Sequence, residues 1–367
     1  MHHIKKLFAW GCAALLSITL AGCTVSEHPR ARAGNYPSNT SGGKFIDADA
    51  LGRHNFRSLI GEKDGIVYTA RGGDIDIGHL RIAADNVYYL NHKVREHLAN
   101  ADTEFTYKLN TDPSIFYVRI EYPADFKLLS DQQKQVVIDK VSLELAQYCT
   151  WNMVQWHEVL TWFGYKSLGV LPEFASAFSW EDGYSNLLGT IVAARAIGTE
   201  DPDVSQFNDN MTRELAIEIA HLGGTSAEFA RDASEKMRGV WYEGNLHTDM
   251  LLRNLDMGFA DGMVTPTLIP GVCPGAKPQR YPAPTPKTAE SLGFKVALEI
   301  EPHEFEKEKY LSIIYPAGDY GRIIVARDMP KIMDYVRTEA LQRGYLVVPE
   351  GTAAYSLKRP NQPIAPY

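Results

Sequence analysis

Long apolar runs are scarce in this 367-residue chain. The clearest, Leu7 to Leu20, is 14 residues of uncharged, mostly apolar sequence, short of the ~20 that span a bilayer. A polytopic membrane protein is therefore excluded. Cysteine is scarce as well: four residues cannot staple a disulfide-dense scaffold. Basic residues are not in excess, since 37 Lys and Arg face 45 Asp and Glu for a formal charge of −8. That balance argues against a nucleic-acid binder, which shows a basic face or stripe. No GxSxG elbow and no Walker A loop is present. The Gly72-Gly73 pair does not fit GxGxxG, and Ser41-Gly42-Gly43-Lys44 matches SxxK without its partner motifs. What is left, 45% hydrophobic and 22% charged, is an ordinary globular composition.

The N-terminus reads as an export signal. Lys5 and Lys6 precede the apolar run, which ends at Leu20-Ala21-Gly22-Cys23. This resembles the lipobox of bacterial lipoproteins, and the resemblance implies cleavage before Cys23 and acylation of that residue. The partner so implied is the lipid bilayer, held through acyl burial at ~0.8 kcal/mol per CH₂. Thr24, rather than Asp, follows Cys23, and by resemblance to Gram-negative sorting rules this implies the outer membrane. Cleavage removes two cations and no acid, so the balance moves to −10 and charge cannot hold the body to anionic lipid. Residues 23–44 are expected to form a flexible tether reaching roughly 25 Å. Cys149 and Cys273 remain, and they either pair or leave Cys149 as a buried thiol.

The expected fold class is α+β. A predominantly helical main domain with a few short strands covers residues 45–265, and a Pro-rich connector with seven prolines follows to about residue 290. A small C-terminal α+β module, ββαβ-like, completes the chain over 291–367. Apolar spacing near 3.6 predicts helices over 76–99 and 131–163, the second opened by a Ser130–Gln133 capping box. Further helices are expected over 180–197 with a Ser179 cap, 209–222 and 227–240. Strands are expected at 64–70 and 114–122, and in the C-terminal module at 294–300, 310–315, 322–326 and 345–348. A last helix is capped by Asp328, with Pro330 inside and Gly344 past its end.

Four segments carry more polar chemistry than folding requires. Around Tyr68 to Arg81, a strand, a Gly pair and a helix start bring backbone N–H groups and Arg71 to one point, which suits an anion. Asp74 and Asp76 serve equally as helix caps. His79 lies in the first helical turn, where a neutral imidazole is favoured, as metal ligation or general-base work needs. Trp156-His157-Glu158 begins like the zincin HExxH, but Thr161 stands at the second His position, so that reading fails. A polar His-Glu pair remains. In Ser179 to Asn186, capping accounts for Ser179 and Asp182 and leaves Glu181 and Asn186 over. Arg253 to Gly262 resembles half a calcium loop without its terminal Glu. Cys149 and His79 would make a Cys-His hydrolase pair only if the thiol left an apolar helix stripe.

Four features together, the lipobox, RGGxIDxGHxR around His79, WHExxTWFG around His157, and SxEDxYSN followed by RNxDxGxxDGxVTP, resemble a family of bacterial lipoproteins known as domain of unknown function 4056. The resemblance covers roughly residues 55–272 and implies that the four segments belong to one module; it brings no activity. The leading expectation is a metal-dependent hydrolase of the cell envelope, with a divalent ion such as zinc held by His79, His157, Glu181 and Asp256. Glu158 and Arg71 would serve catalysis. One alternative is a non-enzymatic protein binding peptidoglycan, lipid or an envelope partner. Another is a glycosidase with a carboxylate pair such as Glu158 and Glu181.

Overall fold

The computed structural model describes residues 28–352 apart from 168–170, 173, 200 and 246–248. Cys23 and the signal segment lie outside the described residues. The fold is α+β, with eight helices and several small sheets among those residues. Strand β1 (Ile66–Thr69) turns into β2 (Gly73–Asp76), antiparallel, and β2 runs directly into α1 (Ile77–Ala99). Asp76 caps that helix by accepting from Gly78 N–H at 2.7 Å. Strands β3 (Glu104–Tyr107) and β4 (Ile115–Glu121) follow, then the long helix α2 (Asp131–Trp162), whose Ser130–Gln133 capping box is fully formed. Helix α3 (Asp182–Ile197) ends at Gly198, in the left-handed region with φ 58°. Helices α4 (Val204–His221) and α5 (Ala227–Glu235), a short strand β5 (Leu252–Arg253) and the one-turn α6 (Lys287–Ser291) lead into the C-terminal part. That part holds β6 (Lys295–Glu301), α7 (Lys307–Ile314), β7 (Ile323–Ile324), α8 (Val325–Gln342) and β8 (Leu346–Val347).

Helix α1 packs against both α2 and α3, and their apolar stripes make one core with Leu80, Val87, Leu145, Cys149, Leu187 and Val192 fully buried. The α1–α3 crossing is close because position 189 is glycine: a Cβ there would meet Leu80 O at 2.1 Å. This packing brings the N-terminal turn of α1, the C-terminal half of α2 and the start of α3 together, and it is here that the polar segments gather.

Three expectations about organisation give way. The C-terminal part is not a separate module. Strand β6 pairs antiparallel with β4 from Lys295↔Glu121 to Glu301↔Ile115, giving one four-stranded sheet in the order β7-β6-β4-β3. Strand β8 pairs with β5, and the Pro-rich stretch lies on the body through Tyr184 Oη–H to Gln279 O (2.6 Å) and Tyr281 Oη–H to Glu218 (2.6 Å). Residues 310–315 are helix α7 rather than strand: Tyr310 and Leu311 are buried on a run of Glu and Lys helix formers, and Tyr310 donates to Glu304. Finally, residues 28–44 are not a loose tether. Arg32 is buried between Glu62 and Asp85, at 2.9 and 2.8 Å, and Arg30 also pairs with Glu62. Asn35 donates its backbone N–H (2.5 Å) and its side-chain amide (3.0 Å) to Asp76. A hydrophilic sequence without periodicity gives no sign of such pairing, because its partners lie tens of residues away.

Candidate functional site

A cavity of about 440 Å³ opens where α1, α2, α3 and the N-terminal arm meet, and His79, His157, Glu158 and Glu181 all line it. Four of the expected site residues thus converge. Arg71 and Asp256 do not line it. Arg71 pairs with Gln279 and is held by the loop after α4. The Asp256 carboxylate accepts from Gly258 N–H and Thr265 N–H, both at 3.0 Å, closing a polar turn away from the cavity. The tryptophans of the second segment are core rather than sugar platforms: Trp156 donates to Ser114 (2.9 Å) and Trp162 to Glu339 (2.8 Å), both fully buried.

The two histidines are each fixed through Nδ1. His79 Nδ1 stands 2.8 Å from Asp182 and 3.2 Å from Asp76. Burial lowers its pKa, but the two carboxylates outweigh that and hold it well above the ordinary histidine value. The facing carboxylates thus favour the imidazolium form, against the neutral ring expected at a helix start. Its Nε2 edge faces the arm, where a Cβ at Gly34 would lie 2.5 Å away, so only glycine lets the chain pass. His157 donates from Nδ1 to both oxygens of Asp112, at 2.9 and 3.1 Å.

Two carboxyls between these pairs are shifted upward. Burial and then the Asp182 charge push Glu158 up to about 7, against His157 and His79, while its Oε2 accepts from Phe178 N–H at 2.8 Å. Burial and the Asp182 charge hold Glu181 well above the carboxylate range. Its Oε2 accepts from Ser179 Oγ at 2.5 Å, and its Oε1 is buried with no hydrogen-bond partner among the described residues. Ser179 is consequently not a helix cap. Its hydroxyl goes to Glu181, its N–H goes to Asp182 (3.0 Å), and α3 starts at Asp182 without a side-chain cap.

Among the described residues, no group of three or more His, Cys, Asp or Glu side chains is placed to hold a metal ion. The expected set of His79, His157, Glu181 and Asp256 is not assembled, with Asp256 elsewhere and His79 turned to Asp182 and to Gly34. Cys149 and Cys273 are both free thiols, and burial pushes the Cys149 thiol up to about 12, far from a nucleophile. Asp112 and the arm were not legible as site residues. Asn110-Thr111-Asp112-Pro113 reads as a turn, and nothing in it points to a histidine 45 residues on.

What these elements define is an α+β protein with an acid–base cleft under an N-terminal arm. The family described as protein of unknown function (DUF4056) matches residues 38–253, more than half of the chain, and the protein belongs to it. Comparison with curated proteins and with solved structures gave no match. No helix among the described residues is long and apolar enough to cross a membrane.

Proposed function

We propose that the protein is a hydrolase anchored in the cell envelope, with Glu158 and Glu181 as its proton-transferring pair. The observation that carries this is the convergence in one cleft of two buried carboxyls, both shifted upward by burial and the Asp182 charge. Near pH 7 Glu158 changes its protonation state and takes a proton from the attacking water. Glu181, whose carboxyl burial holds well above the ordinary range, is the acid: Oε2 accepts from Ser179, which leaves Oε1 to carry the proton given to the leaving group. The His79 imidazolium lies beside them and offsets negative charge that develops on the substrate. His157, held by Asp112, orients the wall. No step is routed through a metal, since among the described residues no group of three or more His, Cys, Asp or Glu side chains is placed to hold one. Anchoring through acylated Cys23, at the outer membrane, is supported by the lipobox and by Thr24.

The test is to incubate the purified chain with envelope fractions and follow released sugars and peptides by mass spectrometry. Glu158→Gln is expected to cut release by about 100-fold or more. The wild-type rate should rise as pH passes upward through about 7, where Glu158 ionises. Equal release by Glu158→Gln, or activity lost to a chelator and restored by zinc, would overturn this mechanism.

A further inference from the structure

One polar side chain in the cleft is not used by this chemistry. Asn186 lies on α3, one turn beyond Asp182, is 2% exposed and lines the cavity. Its Oδ1 is buried without a partner, and its amide makes no hydrogen bond to the described residues. Other buried helical asparagines use their amide: Asn91, whose Oδ1 is also without a partner, donates Nδ2 to Asp201 at 3.1 Å. Asn86 folds back onto Ile82 O and Asn152 onto Tyr148 O, both at 2.8 Å, the carbonyl one turn earlier. The same bond to Asp182 O is open to Asn186 in principle and is not made. A buried acceptor left unsatisfied is unfavourable for the fold alone.

We infer that Asn186 selects the substrate, pairing with an amide N–H that has an oxygen acceptor beside it. This deepens the hydrolase reading and uses the same cleft. Oδ1 would accept the N–H and Nδ2 would donate to the neighbouring oxygen, a pairing a side-chain amide makes with two adjacent atoms. The electrostatics favour a neutral group. The Arg30 and Arg32 guanidinium groups in the wall are taken by Glu62 and Asp85, so neither is spare for an anion. The Asp76 and Asp182 carboxylates are taken by His79, so a substrate cation would have to compete with it. Two substrates carry the required pair: an N-acetylated amino sugar, whose acetamido N–H has a hydroxyl neighbour, and an extended peptide, whose residues offer N–H and C=O side by side.

The experiment is calorimetric titration of Glu158→Gln protein, which is blocked in proton transfer, with N-acetylchitotetraose, N-acetyl-tetraalanine and cellotetraose. One of the two amide probes should bind and identify the source, and cellotetraose, which has only hydroxyls, should bind at least tenfold more weakly. Adding Asn186→Leu should weaken the amide probe tenfold or more. It should also leave the melting temperature unchanged or higher, because an unsatisfied amide is replaced by an apolar group of similar size. Binding of neither amide probe, equal binding of cellotetraose, or unchanged affinity in Asn186→Leu overturns the inference. A lowered melting temperature overturns it too, since that marks a structural amide. A probe that binds through Asn186 but is never cleaved by the wild-type protein leaves this inference standing and removes the hydrolase reading.

Discussion

Asp74 holds a carboxyl in an unusual place. Its carboxylate is buried, one oxygen accepts from Trp180 Nε1 at 2.8 Å, the other has no partner, and burial pushes it up to about 7. Glu158 shares that direction. A carboxyl raised above its unfolded value holds an extra proton in the folded state, so its contribution is present in full below about pH 4. It is lost as pH rises to about 7. Denaturant titrations from pH 4 to pH 8 should therefore show stability falling through this window. Asp74→Asn keeps an acceptor for Trp180 and should reduce the fall. At pH 8 the variant gains a few kcal/mol over wild type, at about 1.4 kcal/mol per unit. Equal slopes in both proteins would contradict this. At this scale the sequence was informative about which residues and poor about their state. His79, His157, Glu158 and Glu181 stand out by composition alone. That His79 favours its charged form, and that Asp112 holds His157, depends on partners that only folding brings near.

Elements were legible where a local signal defines them. The Ser130–Gln133 box opens α2, Gly198 closes α3, and the alternation of 115–121 makes β4, because caps, stops and period-two burial are written in neighbouring residues. Residues 310–315 misled because an apolar run of this length suits a strand or a buried helix face equally, and the flanking Glu and Lys decide it. The packing of α1 on α3 was invisible, since Gly189 reads simply as a weak helix former. Its substitution tests the crossing. Gly189→Ala puts a Cβ 2.1 Å from Leu80 O, a backbone atom that cannot swing aside. A loss of about 3 kcal/mol is expected in denaturant titration, at the upper end for overpacking. The cleft should feel it as well, because Leu80 follows His79 directly. A neutral outcome would mean that the two helices are more loosely apposed than they are here.

For the molecule as a whole, the shared sheet decides what can be cut away. The Pro-rich stretch reads as a connector between two modules, yet beyond it β6 pairs with β4 over seven residues, and β8 joins β5. Ending the chain at residue 286 would strip β4 of one of its two partners and leave a seven-residue edge facing solvent. We expect that fragment to be insoluble or to run as an aggregate in size-exclusion chromatography. A monodisperse, cooperatively melting 28–286 fragment would show that the core stands without the last segment. The family match to residues 38–253 ends before β6. The sheet that completes the body is therefore built partly from sequence outside the matched region.

The packed arm also fixes a distance. Pro29 to Tyr36 form one wall of the cleft, and only Thr24 to Glu27 separate His28 from Cys23. Fully extended, the five steps from Cys23 to His28 span at most about 18 Å. Under the proposed acylation, the leash is thus far shorter than a free segment to residue 44 would give, and it is attached beside the catalytic mouth. The protein would work as a grazer at the bilayer surface, taking what comes within one short radius of its own lipid and leaving material deeper in the wall untouched. Inserting twenty Gly and Ser residues between Thr24 and His28 should widen that radius without touching the cleft. In intact envelopes the lengthened protein should release more product than the native one, while the two soluble forms act alike.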